Sequence, residues 1–415
     1  MKKTFILMAV VTLLQACSTQ DAVKVVVRNS TDLVRMNEMV ELDYVDVLTR
    51  LNISLSDTVE TDFVPSVVVL DAEGNEVPYQ ITFDHKLIFP TAVEPHRASR
   101  YTIVAGQPQD YEVYAVGDCY PERLDDIAWE NDCIAFRTYG PALQESGEAA
   151  YGYDVWVKSV DYPVVADRYA AELDVETVAE IARLKTFDPD SAARLYNSVS
   201  YHVDHGNGLD YYKVGPTLGA GTSALLNSDG SIVYPYCYED YEILDNGPLR
   251  FTVSLRYRPF MYGDEEVVET RIISLDKGSQ LCRVDVVYHN LTSPATMVTG
   301  IVLHDVEGAM EYDALKGYAA YAEPADSING QIYLGMAYAH PVQHIAPCYF
   351  DEEERAARGA EGHLLMERIY EPGSTVTYYT GAGWSKWGFE TAEDWAIYMK
   401  YYAEVLASPL NVTLK

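Results

Sequence analysis

The stretch from Tyr201 to Gly221 gathers side chains suited to moving protons. It holds His202, Asp204, His205, Asp210 and Lys213, with Tyr201, Tyr211 and Tyr212 among them, and five glycines. Imidazole, phenol and ammonium exchange protons near neutral pH. Glycine lets the backbone turn tightly and lets a ligand come close. The pattern points to an active-site loop with His202 or His205 as acid or base. The plainer alternative is a glycine-rich loop whose His and Asp pair only with each other. His202 and His205 also form H-x-x-H beside Asp204 and Asp210, the one set that could take a divalent metal. No helix is predicted there to bring both rings to one face, so no cofactor is expected. The glycines are no phosphate-binding loop either, because the G-K-[ST] ending is missing.

Three more segments mix charge with aromatic rings: 121–132, 136–156 and 378–387. Sugars are bound by such mixtures, since their C–H faces stack on rings while their hydroxyls bond to polar groups. Trp129, Trp156, Trp384 and Trp387, four of the five tryptophans, fall in these segments. So do the scarce cations Arg123, Arg137 and Lys386. The candidate binding set is Arg123, Trp129, Glu130, Asn131, Arg137, Asp210 and Trp384. Arg250, Arg256 and Arg258 lie along one strand, as a salt-bridge ladder with Glu269 and Asp285 or as a cationic strip for an acidic sugar.

The elements that must position these groups are mostly strands. Val23 to Arg28 opens the series. Val67–Leu70 and Val77–Thr82 flank a hairpin turn with Gly74 and Asn75 placed for positive φ. Leu249 to Tyr257 alternates apolar and polar residues, as a strand with one buried face does. Val267–Leu275 and Leu281–Leu291 follow as an antiparallel meander, which Val298–Val306 and Gln331–Ala339 are predicted to continue. Helix is predicted at Val175–Lys185, with Asp174 as N-cap, and at Thr391–Leu406, where Thr391 and Asp394 have capping-box spacing. A short strand spans Asn411 to Leu414. With no repeat and no linker after residue 22, the expected architecture is mainly β, one large antiparallel β-sandwich over 23–415 with helical insertions.

Composition narrows the function classes. The net charge is −33, with 30 Lys and Arg against 63 Asp and Glu. That excludes a nucleic-acid binder, which needs clustered cations, and disfavours docking on anionic lipid. Tyr outnumbers Phe by 34 to 10, an excess of rings with a polar tip. Lys2 and Lys3, the apolar run Phe5–Leu14 and then Ala16-Cys17 make a lipoprotein export signal over 1–16. Cys17 is the lipidated residue and 17–22 the tether. The run is shorter than the roughly 20 residues a bilayer span needs. Membrane attachment is therefore expected through acyl chains only, on the periplasmic face of an outer membrane rather than the cell surface. Cys119, Cys133, Cys237, Cys282 and Cys348 read mostly as buried thiols, with a Cys119–Cys133 bridge left open.

On these segments the sequence resembles the family called domain of unknown function 4861, found in exported proteins of polysaccharide-degrading bacteria. The resemblance rests on Glu122-Arg123-Leu124-Asp125-Asp126 with Trp129-Glu130-Asn131-Asp132, on Tyr139-Gly140-Pro141-Ala142-Leu143, and on Asp204 to Asp210 with Tyr212 to Gly221. It covers nearly the whole chain after the leader. Asn207 departs from it, since Glu is commoner there. The resemblance implies a galactose-mutarotase-like β-supersandwich and a place in the breakdown of uronate-containing polysaccharides. The reaction that follows is β-elimination giving a 4,5-unsaturated uronate, by a lyase or a dehydratase. In it Arg137 or Asn131 holds the carboxylate and His202, His205 or a Tyr211 phenolate favoured by Lys213 takes the C5 proton. Tyr139 or the second His protonates the leaving oxygen. The rivals are a glycoside hydrolase using two carboxyls such as Glu130, Asp132, Asp204 or Asp210, and a glycan-binding lipoprotein without turnover.

Overall fold

The structure is a computed structural model that describes residues 21–53 and 66–415. The leader, Cys17 and the start of the tether lie outside the described residues. Strands dominate, in five antiparallel sheets among the described residues.

The amino-terminal sheets have a core of their own. Ala22–Arg28 lies between Ala98–Ala105 and the chain's last strand, Asn411–Leu414. Arg35–Asp43 and Lys86–Val93 pair in the facing sheet. Val25, Val40, Leu87 and Ile103 fill the space between them. In the 70–76 turn, Asp71 Oδ1 accepts the N–H groups of Glu73 and Asn75. Gly74 takes the positive φ, and Asn75 does not need it.

The larger sandwich faces a sheet of nine strands with one of five. The predicted meander is there as Arg250–Tyr257, Glu265–Asp276 and Leu281–His289, each paired with the next. Val376–Trp384 and Ile332–Ala337 extend that sheet. Ala295–Leu303 does not continue it. It crosses to the facing sheet, between Ala220–Leu226 and Gly362–Tyr370. The reason is its burial on both sides: eight of its nine residues are buried, as in a central strand rather than one with a wet face. Val253, Val284, Ile301 and Met366 belong to the core between the two sheets.

A third sheet carries the polar segments. Its order runs from Gly208–Leu209 through Asp154–Lys158, Ile134–Thr138 and Asp126–Glu130 to Val116–Tyr120. Between its strands 154–158 and 208–209 the chain makes three helices, Val165–Glu172, Val175–Lys185 and Pro189–Val199. Asp174 caps the second as expected, by accepting Thr177 N–H. The third was hidden because Pro189 reads as a stop signal. It occupies the first turn instead, where its missing N–H costs nothing, with Asp188 as the cap. Thr391 and Asp394 form the predicted capping box on Ala392–Ala407.

Within Glu265–Asp276 the period of two turns Val267, Glu269, Arg271, Ile273 and Leu275 to the buried face. Glu269 and Arg271 are therefore an ion pair inside the sandwich, Nε to Oε1 2.6 Å. Arg271 Nη1 donates to Tyr153 Oη, and its guanidinium lies over the Tyr257 ring. Glu269 thus pairs inward, and the strand arginines find other partners. Arg250 binds Asp276 and Glu41, and Arg256 binds Glu239. All five cysteines of the described residues are free thiols, so no bridge joins Cys119 to Cys133.

Removing one member of a buried pair strands the other. Arg271→Ala should lower unfolding free energy by about 3–5 kcal/mol in urea titration, and the double change Glu269→Leu with Arg271→Met should regain most of it. A double variant no more stable than Arg271→Ala would contradict that assignment.

Candidate active site

Arg137 sits at the centre of the small sheet, 4% exposed. Its Nη2 donates to Asp154 Oδ2, to Asp210 Oδ2 at 2.7 Å and to Tyr139 Oη at 3.3 Å. Nη1 lies 3.6 Å from Asp126 Oδ2. The carboxylates come from neighbouring positions of one sheet: Asp126 and Asp154 begin strands either side of Arg137's own, and Asp210 follows Leu209. Trp156 and Tyr201 cover the guanidinium. Burial raises the Asp126 carboxyl to about 6, against the pull of Arg137 and Arg123. Burial and the nearby Asp154 raise Asp210 well above the usual carboxylate range, with Arg137 opposing.

The loop after this sheet is fixed by its own backbone. Asp204 Oδ1 accepts the N–H groups of Gly206 and Gly208. Gly208 has φ +99°, and a Cβ there would stand 1.9 Å from the Val157 carbonyl oxygen, so only glycine fits. Asn207 accepts from Arg168, which also donates to the Gly208 carbonyl. Asn207 is thus a structural acceptor.

His202 Nδ1 is 2.9 Å from the Asp210 carbonyl oxygen. A carbonyl only accepts, so Nδ1 carries a proton. The side chain is 48% exposed. Arg123 is half-buried beside it. Its Nε donates to Tyr201 Oη, whose ring touches His202. The two terminal nitrogens of Arg123 make no hydrogen bond among the described residues. His205 turns Nε2 to the Ser200 carbonyl, 3.0 Å away, and is exposed.

The other predicted residues separate. Lys213 is exposed and packs its ammonium against Gly359, away from Tyr211. Burial, with Asp326 and Glu323 nearby, pushes the Tyr211 phenol up, so it is no phenolate base. Tyr139 donates to Asp154 at 3.0 Å, and burial holds its phenol well above the usual value. Arg137 is committed to three aspartates and cannot also hold a substrate carboxylate. Asn131 bonds to the carbonyls of Asp276 and Ser279 and to the N–H groups of Cys133 and Ile134. Glu130 binds Lys158 and accepts from Val164 and Val165 N–H at the start of a helix. Asp132 binds Lys277. Trp129 is core, stacked on Phe136 and Phe251. Trp384 is buried and donates to the Asn329 carbonyl, so its ring supports a loop rather than a sugar.

Sequence reading missed His304 and Glu323. His304 Nδ1 is 2.9 and 3.0 Å from the two Glu323 oxygens. The carboxylate fixes the ring through Nδ1–H, and in the neutral tautomer this puts the lone pair on Nε2. His304 follows a strand of the five-stranded sheet and Glu323 follows Tyr318–Ala322 of the nine-stranded one. The Tyr212 and His304 rings meet at 77° with centroids 5.7 Å apart. The hydroxyl of Tyr212 is buried and has no hydrogen-bond partner among the described residues. Burial, then Glu323 and Tyr321, raise the Tyr212 phenol well above its usual value, while Asp154 and Tyr139 link it to the Arg137 cluster. Lys386 lies over the Trp384 ring and 3.9 Å from Asp204, and is 40% exposed. Cavities of about 340 and 260 Å³ lie elsewhere. They carry no His, so they offer no such acid–base pair. What marks this place is its oriented imidazole and the unpartnered phenol of Tyr212.

The sequence model of the family described as domain of unknown function (DUF4861) matches residues 27–412. The chain belongs to this family. A curated relative, "Uncharacterized protein P7" of Formosa agariphila, is 26% identical over 420 residues, covering 98% of both chains. Two solved structures from Enterococcus faecalis are similar over 95% of this chain. One is an alpha-mannosidase (9% identity, TM-score 0.48, 46% of that chain), and the other a protein in glycosyl hydrolase family 38 (8% identity, TM-score 0.41, 48% of that chain). The DUF4861 chain thus spans about half the length of the solved structures it matches.

Asp126 gives the cluster a pH signature. Its folded-state value is raised from 3.8 to about 6, so the folded form keeps a proton that the unfolded chain has lost. The contribution is complete below the unfolded value and is lost as pH rises through the folded one. Between about pH 4 and about pH 6, stability of the wild type relative to Asp126→Asn should fall by roughly 3 kcal/mol, then stay level. Parallel stability curves for the two proteins would contradict this.

Proposed function

We propose that this DUF4861 protein is an exported, lipid-anchored enzyme that cleaves or dehydrates uronate-containing oligosaccharides by β-elimination. The observation that carries the reading is the Glu323–His304 pair facing the unpartnered phenol of Tyr212. Nε2 of His304 takes the C5 proton. The C–H electron pair forms the C4–C5 double bond. The oxygen on C4, hydroxyl or glycosidic, leaves with the proton of Tyr212. A phenol holds its proton at neutral pH and can pass it to the oxygen as the bond to C4 breaks. Glu323 steadies the imidazolium that forms. Lys386 neutralises the substrate carboxylate, which makes the C5 proton easier to remove. Arg123 and His202, across the Arg137 cluster, contact the next sugar unit.

Hydrolysis fits less well. It needs two carboxyl groups free to face one glycosidic bond. Asp126, Asp154 and Asp210 are spent on Arg137, Glu130 on Lys158, and Asp204 on the backbone of its own loop. The export signal and lipid anchor of the reading rest on Lys2, Lys3, the apolar run and Cys17.

Purified protein incubated with glucuronan, pectin and ulvan fragments should give the ultraviolet absorbance of a conjugated uronate. Tyr212→Phe and His304→Gln, with unchanged circular dichroism, should each lower the rate by about 10²–10⁴-fold. Absence of the chromophore across all three substrates, or full rates in both variants, would overturn the proposal.

A further inference from the structure

The ion pair inside the sandwich leaves one oxygen unused. Glu269 is 2% exposed. Its Oε1 accepts from Arg271 Nε at 2.6 Å and from Ser223 Oγ at 3.2 Å. Its Oε2 accepts no hydrogen bond among the described residues. Glu269 also lines a cavity of about 240 Å³, whose walls include Tyr234, Tyr236, Tyr257 and Phe260, with Arg258 beside Tyr236. This oxygen is therefore free to accept a hydrogen bond from a molecule held in the cavity.

Charge decides what kind of donor. Arg271 already balances Glu269 from behind. Arg258 adds a positive charge, its guanidinium carbon 5.3 Å from the Tyr236 centroid. Of the charged residues that line the cavity, Arg258 offsets Glu269, so no net negative charge draws a cationic ligand, although aromatic walls alone would suit one. A neutral ring bearing hydroxyls meets every demand. One O–H donates to Oε2, and the C–H face lies on the tyrosine and phenylalanine rings.

We propose that this cavity is a second carbohydrate site, which holds one neutral pyranose unit with a hydroxyl on Glu269. It shares no residue with the His304 site, so it binds rather than reacts. In a substrate that mixes uronate with neutral sugars, it would retain the chain while the other site works.

The test uses the full chain and saturation-transfer NMR with the methyl glycosides of glucose, galactose, xylose and rhamnose. At least one should bind saturably at millimolar concentration. Glu269→Gln should weaken it, and Tyr236→Ala, a change at a side chain 43% exposed, should weaken it about tenfold or more without unfolding the protein. On glucuronan, which carries no neutral sugar, the rate of chromophore formation should not change in Tyr236→Ala, so this proposal and the elimination reading fail separately. No saturable binding by any of the four glycosides, binding untouched by Tyr236→Ala, or choline bound in preference to them would overturn the proposal.

Discussion

One buried guanidinium, that of Arg137, ties together the strand ends around which the candidate site is built. Asp126, Asp154 and Asp210 all point at it, so three segments far apart in sequence are held at one place. The cost of burying these charges is large, and only mutual pairing offsets it. The arrangement fixes Asp210, which orients His202 through its carbonyl, and it sets the start of the Tyr211-Tyr212 segment. Tyr212 then reaches away from the cluster to His304. The acid of the proposed reaction therefore takes its position from a charge cluster that does no chemistry itself.

The same logic accounts for part of the tyrosine excess. Three buried polar centres are each walled by tyrosine. Tyr139, Tyr169 and Tyr201 surround Arg137. Tyr153 and Tyr257 enclose Arg271. Tyr211, Tyr212 and Tyr321 stand near Glu323. At Tyr139, Tyr169, Tyr201 and Tyr153 the hydroxyl bonds to a charged group, which a phenylalanine of the same volume could not do.

Much of the fold was legible from the sequence. Alternation located Arg250–Tyr257, and cap chemistry located Val175–Lys185 and the helix after Thr391. Those signals are local, since side chains a few residues apart carry them. The loop 201–213 stood out for the same reason, and His202, Asp210, Tyr139 and Arg137 do come together. The His304–Glu323 pair could not be read this way. Its members are nineteen residues apart and follow strands of opposite sheets, so no short motif joins them. Only the crossing of Ala295–Leu303 to the facing sheet brings them within bonding distance, and period-two alternation cannot say which sheet a fully buried strand joins. The roles given to Trp129, Glu130 and Asn131 failed for a related reason. Polar and aromatic density marks buried anchors as readily as binding surfaces.

The central claim is that His304 and Tyr212 move protons across a C4–C5 bond without water entering the product. Turnover of a uronate oligosaccharide in heavy-oxygen water, followed by mass spectrometry, tests it most directly. The account predicts unsaturated products that carry no heavy oxygen. Saturated products with one heavy oxygen at each cleaved bond would show hydrolysis and contradict it.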